Sequence, residues 1–178
     1  MARRDPLTDP GGLIRRVYSY VAYRIGDGPD AEDITGDVFE RAVRYRSSYD
    51  PRRGEPLSWL IGIARRCIDG RRPLPVRRHS PGDGEIEQEA PGDLADSAVE
   101  RLAIAAAMST LDERSRDLLA LRYGADLSAR QIGAVLGLKP NAVDVALHRA
   151  LARLRSVLEQ QQRDVGALSD HPRQASSI

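Results

Sequence analysis

Residues 111–155 read LDERSRDLLALRYGADLSARQIGAVLGLKPNAVDVALHRALARLR, and turn-forming residues divide this stretch into three helices. The middle helix begins at Ser128, with Gln131 three residues later, which is the spacing of a capping box. Gly137 ends that helix, because glycine takes the left-handed conformation with little strain. Pro140 disfavours a helical conformation in the residue before it, so a third helix begins nearby.

The third helix has one apolar face, at Val143, Leu147, Leu151 and Leu154. Two amphipathic helices joined by a glycine turn are typical of a helix-turn-helix, whose second helix enters the DNA major groove. The same spacing also fits a plain three-helix bundle. Basic side chains on the third helix, beside so short a turn, favour the DNA-binding interpretation.

Apolar residues at helical spacing predict further helices upstream of this stretch, separated by glycine- and proline-containing turns. Residues 83–96 contain six acids and no base, with too little apolar content to fold alone. We therefore predict an all-α protein of two small helical domains joined by a flexible acidic linker. The expected parts are a flexible N-terminus (1–11), an N-terminal domain (12–75), the linker (76–97), a C-terminal domain (98–160) and a disordered tail (161–178).

The composition argues against several classes of protein. The chain has 178 residues, a net charge of +1, one cysteine and three scattered histidines, which predict neither a disulfide nor a metal site. It contains no paired carboxylates in an apolar setting, no nucleophile beside a histidine and no glycine-rich phosphate loop. We therefore expect a protein that is not an enzyme and needs no cofactor. The lack of a long apolar run or signal peptide predicts a cytoplasmic protein without membrane contact.

Two parts of the chain resemble bacterial RNA polymerase sigma factors. LSARQIGAVLGL (127–138) and AVDVALHRALARLR (142–155) resemble their fourth conserved region. DAEDITGDVFERA (30–42) and YDPRRGEPLSWLIGIARRCID (49–69) resemble their second conserved region. The two matches lie in the order found in that family, and the chain is most similar to its small extracytoplasmic-function group.

The resemblance implies a subunit that binds core RNA polymerase and directs it to promoters. Region 2 would melt the −10 element and region 4 would read the −35 element. The implied partners are promoter DNA, the β′ clamp helices and β flap of core polymerase, and an anti-sigma factor. Two alternatives are a helix-turn-helix regulator that acts on duplex DNA without polymerase, and a sigma-like adaptor that binds only proteins.

A charged face on the helix near residue 35 is the first candidate site. From spacing alone such a face is typical of a solvated surface, but the resemblance implies that it docks on the β′ clamp helices. The residues of this docking face are Asp30, Glu32, Asp33, Asp37, Glu40 and Arg41.

A basic segment with flanking aromatic rings is the second candidate site. Six arginines and one acid lie between Arg65 and Arg78, and such a patch attracts phosphates. Aromatic rings can hold an unpaired base by stacking. The resemblance implies that this segment captures the melted −10 element, although Arg66 stands where the family often has asparagine. The candidate residues are Tyr49, Arg52, Arg53, Trp59, Arg65, Arg66, Arg71 and Arg72.

The third candidate site is the start of the last helix, where a recognition helix reads base edges. Asp144 is unusual there, because an acid is repelled by phosphates. Either it completes a cap that begins at Asn141, or it accepts a hydrogen bond from cytosine. It is also the residue that favours the adaptor alternative. The candidate residues are Arg130, Lys139, Asn141, Ala142, Asp144, Val145, His148, Arg149 and Arg153.

Overall fold

The computed structural model describes residues 5–70 and 94–169, and within these ranges all regular secondary structure is helical, which confirms the predicted class. Arg71, Arg72 and most of the expected linker lie outside the described residues. The N-terminal lobe contains α1 (Pro10–Ile25), α2 (Pro29–Arg44), a 3₁₀ turn (Arg46–Ser48) and α3 (Pro56–Gly70). The C-terminal lobe contains α4 (Leu94–Thr110), α5 (Glu113–Leu119), a π-helical turn (Ala120–Gly124), α6 (Ala129–Leu136) and α7 (Pro140–Ser169).

The predicted ends of α6 are confirmed. The Ser128 hydroxyl accepts a hydrogen bond from the Gln131 N–H, and the Gln131 side-chain oxygen accepts one from the Ser128 N–H, at 3.3 and 2.9 Å. Gly137 follows α6 in the left-handed conformation, with φ 69°. At both ends of α6 the residues that cap the helix are close in the sequence, which is why the sequence alone predicts these ends.

The predicted start of α7 is wrong. The Lys139 carbonyl accepts hydrogen bonds from the N–H groups of Ala142 and Val143, at 2.9 and 3.1 Å. Pro140 is therefore the first helical residue, a position that suits proline because an N–H there would be unpaired. Asn141 already lies inside the helix, so Asn141 and Asp144 do not form the expected cap.

Two domain boundaries also need correction. The disordered tail expected from residue 161 is wrong up to Ser169, because α7 continues to that residue. Hydrogen bonds from Gln160 to Asp164 and from Arg163 to Gln160 support this extension. Helix α4 begins at Leu94, inside the expected linker. Helix propagation adds one hydrogen bond per ordered residue, so polar ends can stay helical.

The lobes share one continuous hydrophobic core instead of the two separate cores that we expected. Helix α1 lies in its middle, packed on α2 and α3 on one side and on α5 and the π turn on the other. Its buried residues are Val17, Tyr20, Val21 and Arg24. The structure is therefore one closed body in which each lobe covers part of the other.

Gly124, at the end of the π turn, makes the closest approach between the lobes. A Cβ atom there would lie 2.9 Å from the Ser19 carbonyl oxygen and 2.9 Å from the Tyr20 Cα. The widened turn is closed by the Ala125 N–H, which donates to the Ala120 carbonyl at 2.9 Å. Only glycine lets the two backbones meet here, so Gly124 ends the π turn and also lets the lobes come into contact.

Candidate nucleic-acid and polymerase interface

Helix α2 presents the expected docking face. Its opposite side is buried against α1 and α3, through residues that include Ile34 and Val38. Asp37 is half-buried and the other predicted docking residues are exposed: Asp30, Glu32, Asp33, Glu40 and Arg41. Glu40 pairs with Arg44 at 2.8 Å on the surface. The helix therefore exposes a mainly acidic face that suits a basic partner surface.

A groove of about 290 Å³ lies where the end of α2 meets α3. Its walls combine two aromatic rings, apolar surface and two guanidinium groups, which are the groups that hold an unstacked base beside its phosphate. The predicted residues Arg41, Trp59 and Arg66 meet here, and Tyr45, Ser48 and Ile63 complete the lining. These last three were missed because their spacing alone did not distinguish a groove from a core.

Tyr49 has a supporting position beside this groove. It is 7% exposed, and its ring packs against Trp59 with centroids 5.6 Å apart. Its hydroxyl donates to the Gly54 carbonyl at 3.1 Å. Burial and the nearby carboxylates of Glu55 and Asp50 raise the pKa of Tyr49. The predicted stacking ring is thus mostly covered, and it orients Trp59 instead of facing solvent.

The arginines of region 49–69 divide into two groups. Arg52, Arg53 and Arg66 are exposed, and the Nε of Arg66 donates to the Gly62 carbonyl at 3.1 Å. Arg65 instead reaches the other lobe, where its Nη2 lies 3.2 Å from the Asp117 carboxylate. The sequence did not reveal this partner, because the contact depends on how the two lobes pack.

The predicted face of α7 points to solvent. Val143, Leu147 and Ala150 are buried against the rest of the lobe. The predicted DNA-contact residues in the first turns of α7 are all exposed, and so are the two predicted basic residues that precede this helix. The exposed residues are Arg130, Lys139, Asn141, Ala142, Asp144, Val145, His148 and Arg149. The helix-turn-helix is therefore formed, with its predicted reading face uncovered.

Arg153 differs from the other basic residues of α7. Its Nη1 donates to the Asp112 carboxylate at 3.0 Å and to the Ser115 hydroxyl at 2.6 Å. Asp112 in turn accepts the Ser115 N–H at 2.9 Å as the cap of α5. The pKa of Asp112 is lowered by the hydrogen bonds that the Ser115 hydroxyl and N–H donate to its carboxylate and by the charge of Arg153. Arg153 thus holds α7 against the start of α5.

Asp117 of α5 is buried at the centre of a polar cluster between the lobes, which sequence reasoning missed. It accepts the Tyr20 hydroxyl at 2.7 Å, and the Arg24 Nε lies 3.3 Å away as an ion pair outside hydrogen-bonding geometry. Burial and the charge of Asp117 raise the pKa of Tyr20. Burial by itself would lower the pKa of Arg24, but Tyr20 and Asp117 outweigh it and raise that pKa.

No helix in residues 5–70 or 94–169 has the length and apolar character to cross a membrane. Among the same residues, no three His, Cys, Asp or Glu side chains are grouped so that they could hold a metal ion.

Comparison with known families finds a separate match for each lobe. The model of Sigma-70 region 2 matches residues 12–72, and the model of Sigma-70, region 4 matches residues 101–154. The chain belongs to the sigma-70 family. The N-terminal lobe is thus sigma region 2 and the C-terminal lobe is sigma region 4. Sigma factors are transcription initiation factors without enzymatic activity, so the expectation of a non-enzyme is confirmed.

Relatives within the family carry the extracytoplasmic-function (ECF) name. The chain is 26% identical over 147 residues to the ECF RNA polymerase sigma factor BldN of Streptomyces coelicolor, covering 80% of this chain but only 56% of BldN. It is 29% identical over 148 residues to the ECF sigma factor SigL of Mycobacterium tuberculosis, covering 81% and 83% of the two chains. These relatives confirm the predicted group.

A solved structure shows the same fold. The sigma factor RpoE of Bartonella quintana, crystallised with the anti-sigma factor NepR, has a TM-score of 0.59 to this chain at 19% identity. That comparison covers 83% of this chain and 92% of RpoE. The shared sigma fold and the two family regions do not favour a regulator that works without polymerase.

Proposed function

We propose that this sigma factor divides promoter recognition between its lobes, with α2 docking on core polymerase, the α2–α3 groove holding the melted −10 element and α7 reading the −35 element. The observation that carries this proposal is the simultaneous exposure of three chemically distinct faces on a chain with both sigma regions. Promoter-directed transcription initiation is the function of the family.

Charge supports the docking role of α2. Its exposed acids would meet a basic surface, for which the β′ clamp helices are the expected partner, while region 4 would contact the β flap. The double change Asp33→Arg with Asp37→Arg reverses the charge of this face. We expect core-polymerase binding to weaken by at least about tenfold, the equivalent of 1.4 kcal/mol.

Glu159→Arg is the control, because Glu159 is exposed, as Asp33 is, but lies far along α7. Circular dichroism should show unchanged helicity in both variants. Equal core binding by both variants in a pull-down assay would contradict the docking role.

The groove supports base capture by region 2. Flipping a base out of its stack requires a few kcal/mol, which contacts with Trp59 and Arg66 would offset. Arg41 lies in the same groove, so its expected role shifts from polymerase docking toward the −10 element.

The B. quintana relative binds an anti-sigma factor, and we extend this class of partner to the present chain. Such a partner would cover the same faces that polymerase and promoter use. The proposed location is the cytoplasm, where core polymerase and promoter DNA are found.

Run-off transcription with core polymerase on a library of promoters tests the function as a whole. Polymerase with the intact sigma factor should start at a defined subset of promoters that share two sequence elements. The Asp33→Arg, Asp37→Arg variant should give transcripts near the level of core polymerase alone. The same low level with the intact chain would contradict the proposed function.

A further inference from the structure

The groove where α2 meets α3 is rich in hydrogen-bond donors on its polar side. Two of its six lining residues are arginines, Arg41 from α2 and Arg66 from α3, and no acid lies among the lining residues of the described chain. A guanidinium group only donates hydrogen bonds, so it matches acceptor atoms and makes an unfavourable contact with an amino group. The groove should therefore discriminate between bases by the position of their acceptor atoms.

Arg66 is oriented by its own helix. Its Nε donates to the Gly62 carbonyl one turn earlier, at 3.1 Å, which leaves its two terminal NH₂ groups available to a ligand. A guanidinium presents neighbouring N–H groups in one plane as a rigid fork. Two acceptor atoms side by side on a flat ring are the partner that fits such a fork.

Arg41 is the second guanidinium of the groove. It is exposed, and among residues 5–70 and 94–169 it makes no side-chain hydrogen bond or ion pair. The nearby Arg44, by contrast, pairs with Glu40 at 2.8 Å. An unpaired guanidinium beside a second one leaves a local positive charge, which the acceptor atoms and phosphate of a nucleotide would offset.

The other walls of the groove suit a flat ring. The rings of Trp59 and Tyr45 and the side chain of Ile63 give surfaces on which a base can stack. The Ser48 hydroxyl donates to the Tyr45 carbonyl at 2.7 Å, so the lone pairs of its oxygen remain to accept from a base. The groove thus combines stacking surfaces, two sets of strong donors and a single weaker acceptor.

Guanine matches this arrangement better than the other three bases. Its O6 and N7 are adjacent acceptors, and this edge is the one that arginine binds with two hydrogen bonds. Adenine carries an amino group in place of O6, which would face a guanidinium donor. Cytosine has an amino group beside its acceptor N3, and thymine has an N–H donor between its two carbonyls. The N1–H and amino group of guanine are left for an acceptor such as Ser48.

We propose that the α2–α3 groove selects an unpaired guanine, and that Arg66, together with Arg41, determines this specificity. The inference rests on the proposed function, which brings a melted strand to the groove, whereas the choice of base follows from the groove itself. Promoters that this sigma factor opens should therefore carry guanine at the captured position of the −10 element.

A selection on premelted DNA tests this choice of base. Core polymerase with the intact chain is bound to a promoter library that has a randomised duplex −35 region and an unpaired −10 region randomised on the non-template strand. The bound strands are then sequenced. Guanine should be enriched at least about tenfold at one unpaired position, the discrimination expected of one bidentate arginine contact.

Arg66→Gln is the decisive variant. A glutamine amide matches N6 and N7 of adenine, so guanine enrichment at that position should be lost and adenine should gain. Arg41→Ala should lower guanine enrichment several-fold without favouring another base, since Arg66 remains. Arg46→Ala is the matched control, because Arg46 is exposed in the neighbouring 3₁₀ turn but does not line the groove.

The outcomes distinguish this inference from the proposed function. Selection of −35 sequences without any unpaired guanine would overturn the inference and leave the proposed function standing. Guanine enrichment that survives Arg66→Gln would also overturn it. If the intact chain adds no sequence selection to core polymerase at either element, the proposed function itself fails. Circular dichroism checks the fold of each variant, and if Arg66→Gln does not fold, Arg41→Ala decides.

Discussion

The two proposed DNA-facing surfaces of this sigma factor are built differently. In region 4 the proposed reading residues of α7, apart from Arg153, are exposed and lie opposite the residues that hold the helix in place. In region 2 the candidate residues also contribute to the fold, because Tyr49 supports Trp59 and Arg65 pairs with Asp117. Recognition and stability are thus separable in region 4 and coupled in region 2.

This difference has a physical reason. A helix that enters a duplex groove needs only an outward face, since the DNA supplies the opposite wall. An unstacked base needs a groove with walls on several sides, and two residues of those walls also belong to the packing of α3: Ile63 lies in the core and Trp59 packs against it. Substitutions should therefore change DNA reading alone in region 4, and reading together with stability in region 2.

The largest effect on stability is expected at the contact between the two regions. Asp117→Ala leaves Arg24, which is 5% exposed, without its buried counter-ion, so that only the exposed carboxylates of Glu113 and Asp69 remain near it. The free energy of unfolding should fall by about 3 kcal/mol. This value is at the low end of what the loss of one partner of a buried ion pair costs, because Arg24 can regain hydration when the lobes separate. Asp144→Ala, in the same lobe but exposed, should change it by less than about 0.5 kcal/mol. Similar urea midpoints for both variants would contradict the expectation that the contact between the lobes contributes more to stability than the exposed face of α7.

Two adjacent arginines separate the roles within region 2. Arg66→Ala should reduce open-complex formation on a duplex promoter by roughly tenfold, the value of one charged hydrogen bond, with little change on a premelted template. Arg65→Ala should lower the free energy of unfolding by about 1 kcal/mol, since Arg65 is partly solvated. Permanganate footprinting and urea unfolding measure the two effects. Equal loss by Arg66→Ala on both templates would indicate a general phosphate contact instead.

Asp144 tests whether region 4 reads bases independently of its stability. Because the expected cap at Asn141 does not form, acceptance of a hydrogen bond from cytosine is the remaining role that we propose for this carboxylate. Asp144→Asn should relax the preference at a single base pair of the −35 element by roughly 1–3 kcal/mol. Binding to a randomised −35 library measures this preference. An equal change in binding at every position of the −35 element would argue against base reading by Asp144.

The smallest effect on DNA binding is expected from substitution of two arginines further along α7, Arg149 and Arg153. Arg149→Ala should weaken binding to all sequences alike and reduce the slope of log affinity against log salt by about 1. Arg153→Ala should leave that slope nearly unchanged, because Arg153 is bound to Asp112 and Ser115. Fluorescence anisotropy over a salt series distinguishes them. Equal slopes for both variants and the unsubstituted chain would exclude Arg149 as a phosphate contact.

The sequence alone determined the features that depend on neighbouring residues. The capping box of Ser128 with Gln131, the left-handed Gly137 and the apolar face of α7 are local, and they predicted the helix-turn-helix correctly. The order of two sigma-like segments predicted the family. Local rules failed at Asn141, because Pro140 takes the first helical position and the Lys139 carbonyl accepts the first hydrogen bonds of α7.

Only the tertiary structure decided how the lobes meet and which candidate residues remain free. Nothing near Arg65 in the sequence distinguishes it from Arg66, yet one pairs with Asp117 and the other lines a groove. Gly124 reads as an ordinary helix stop, although its lack of a side chain lets two backbones touch. Each of these properties depends on a partner distant in the chain, and such a partner is specified by how whole faces pack and not by the spacing of neighbours.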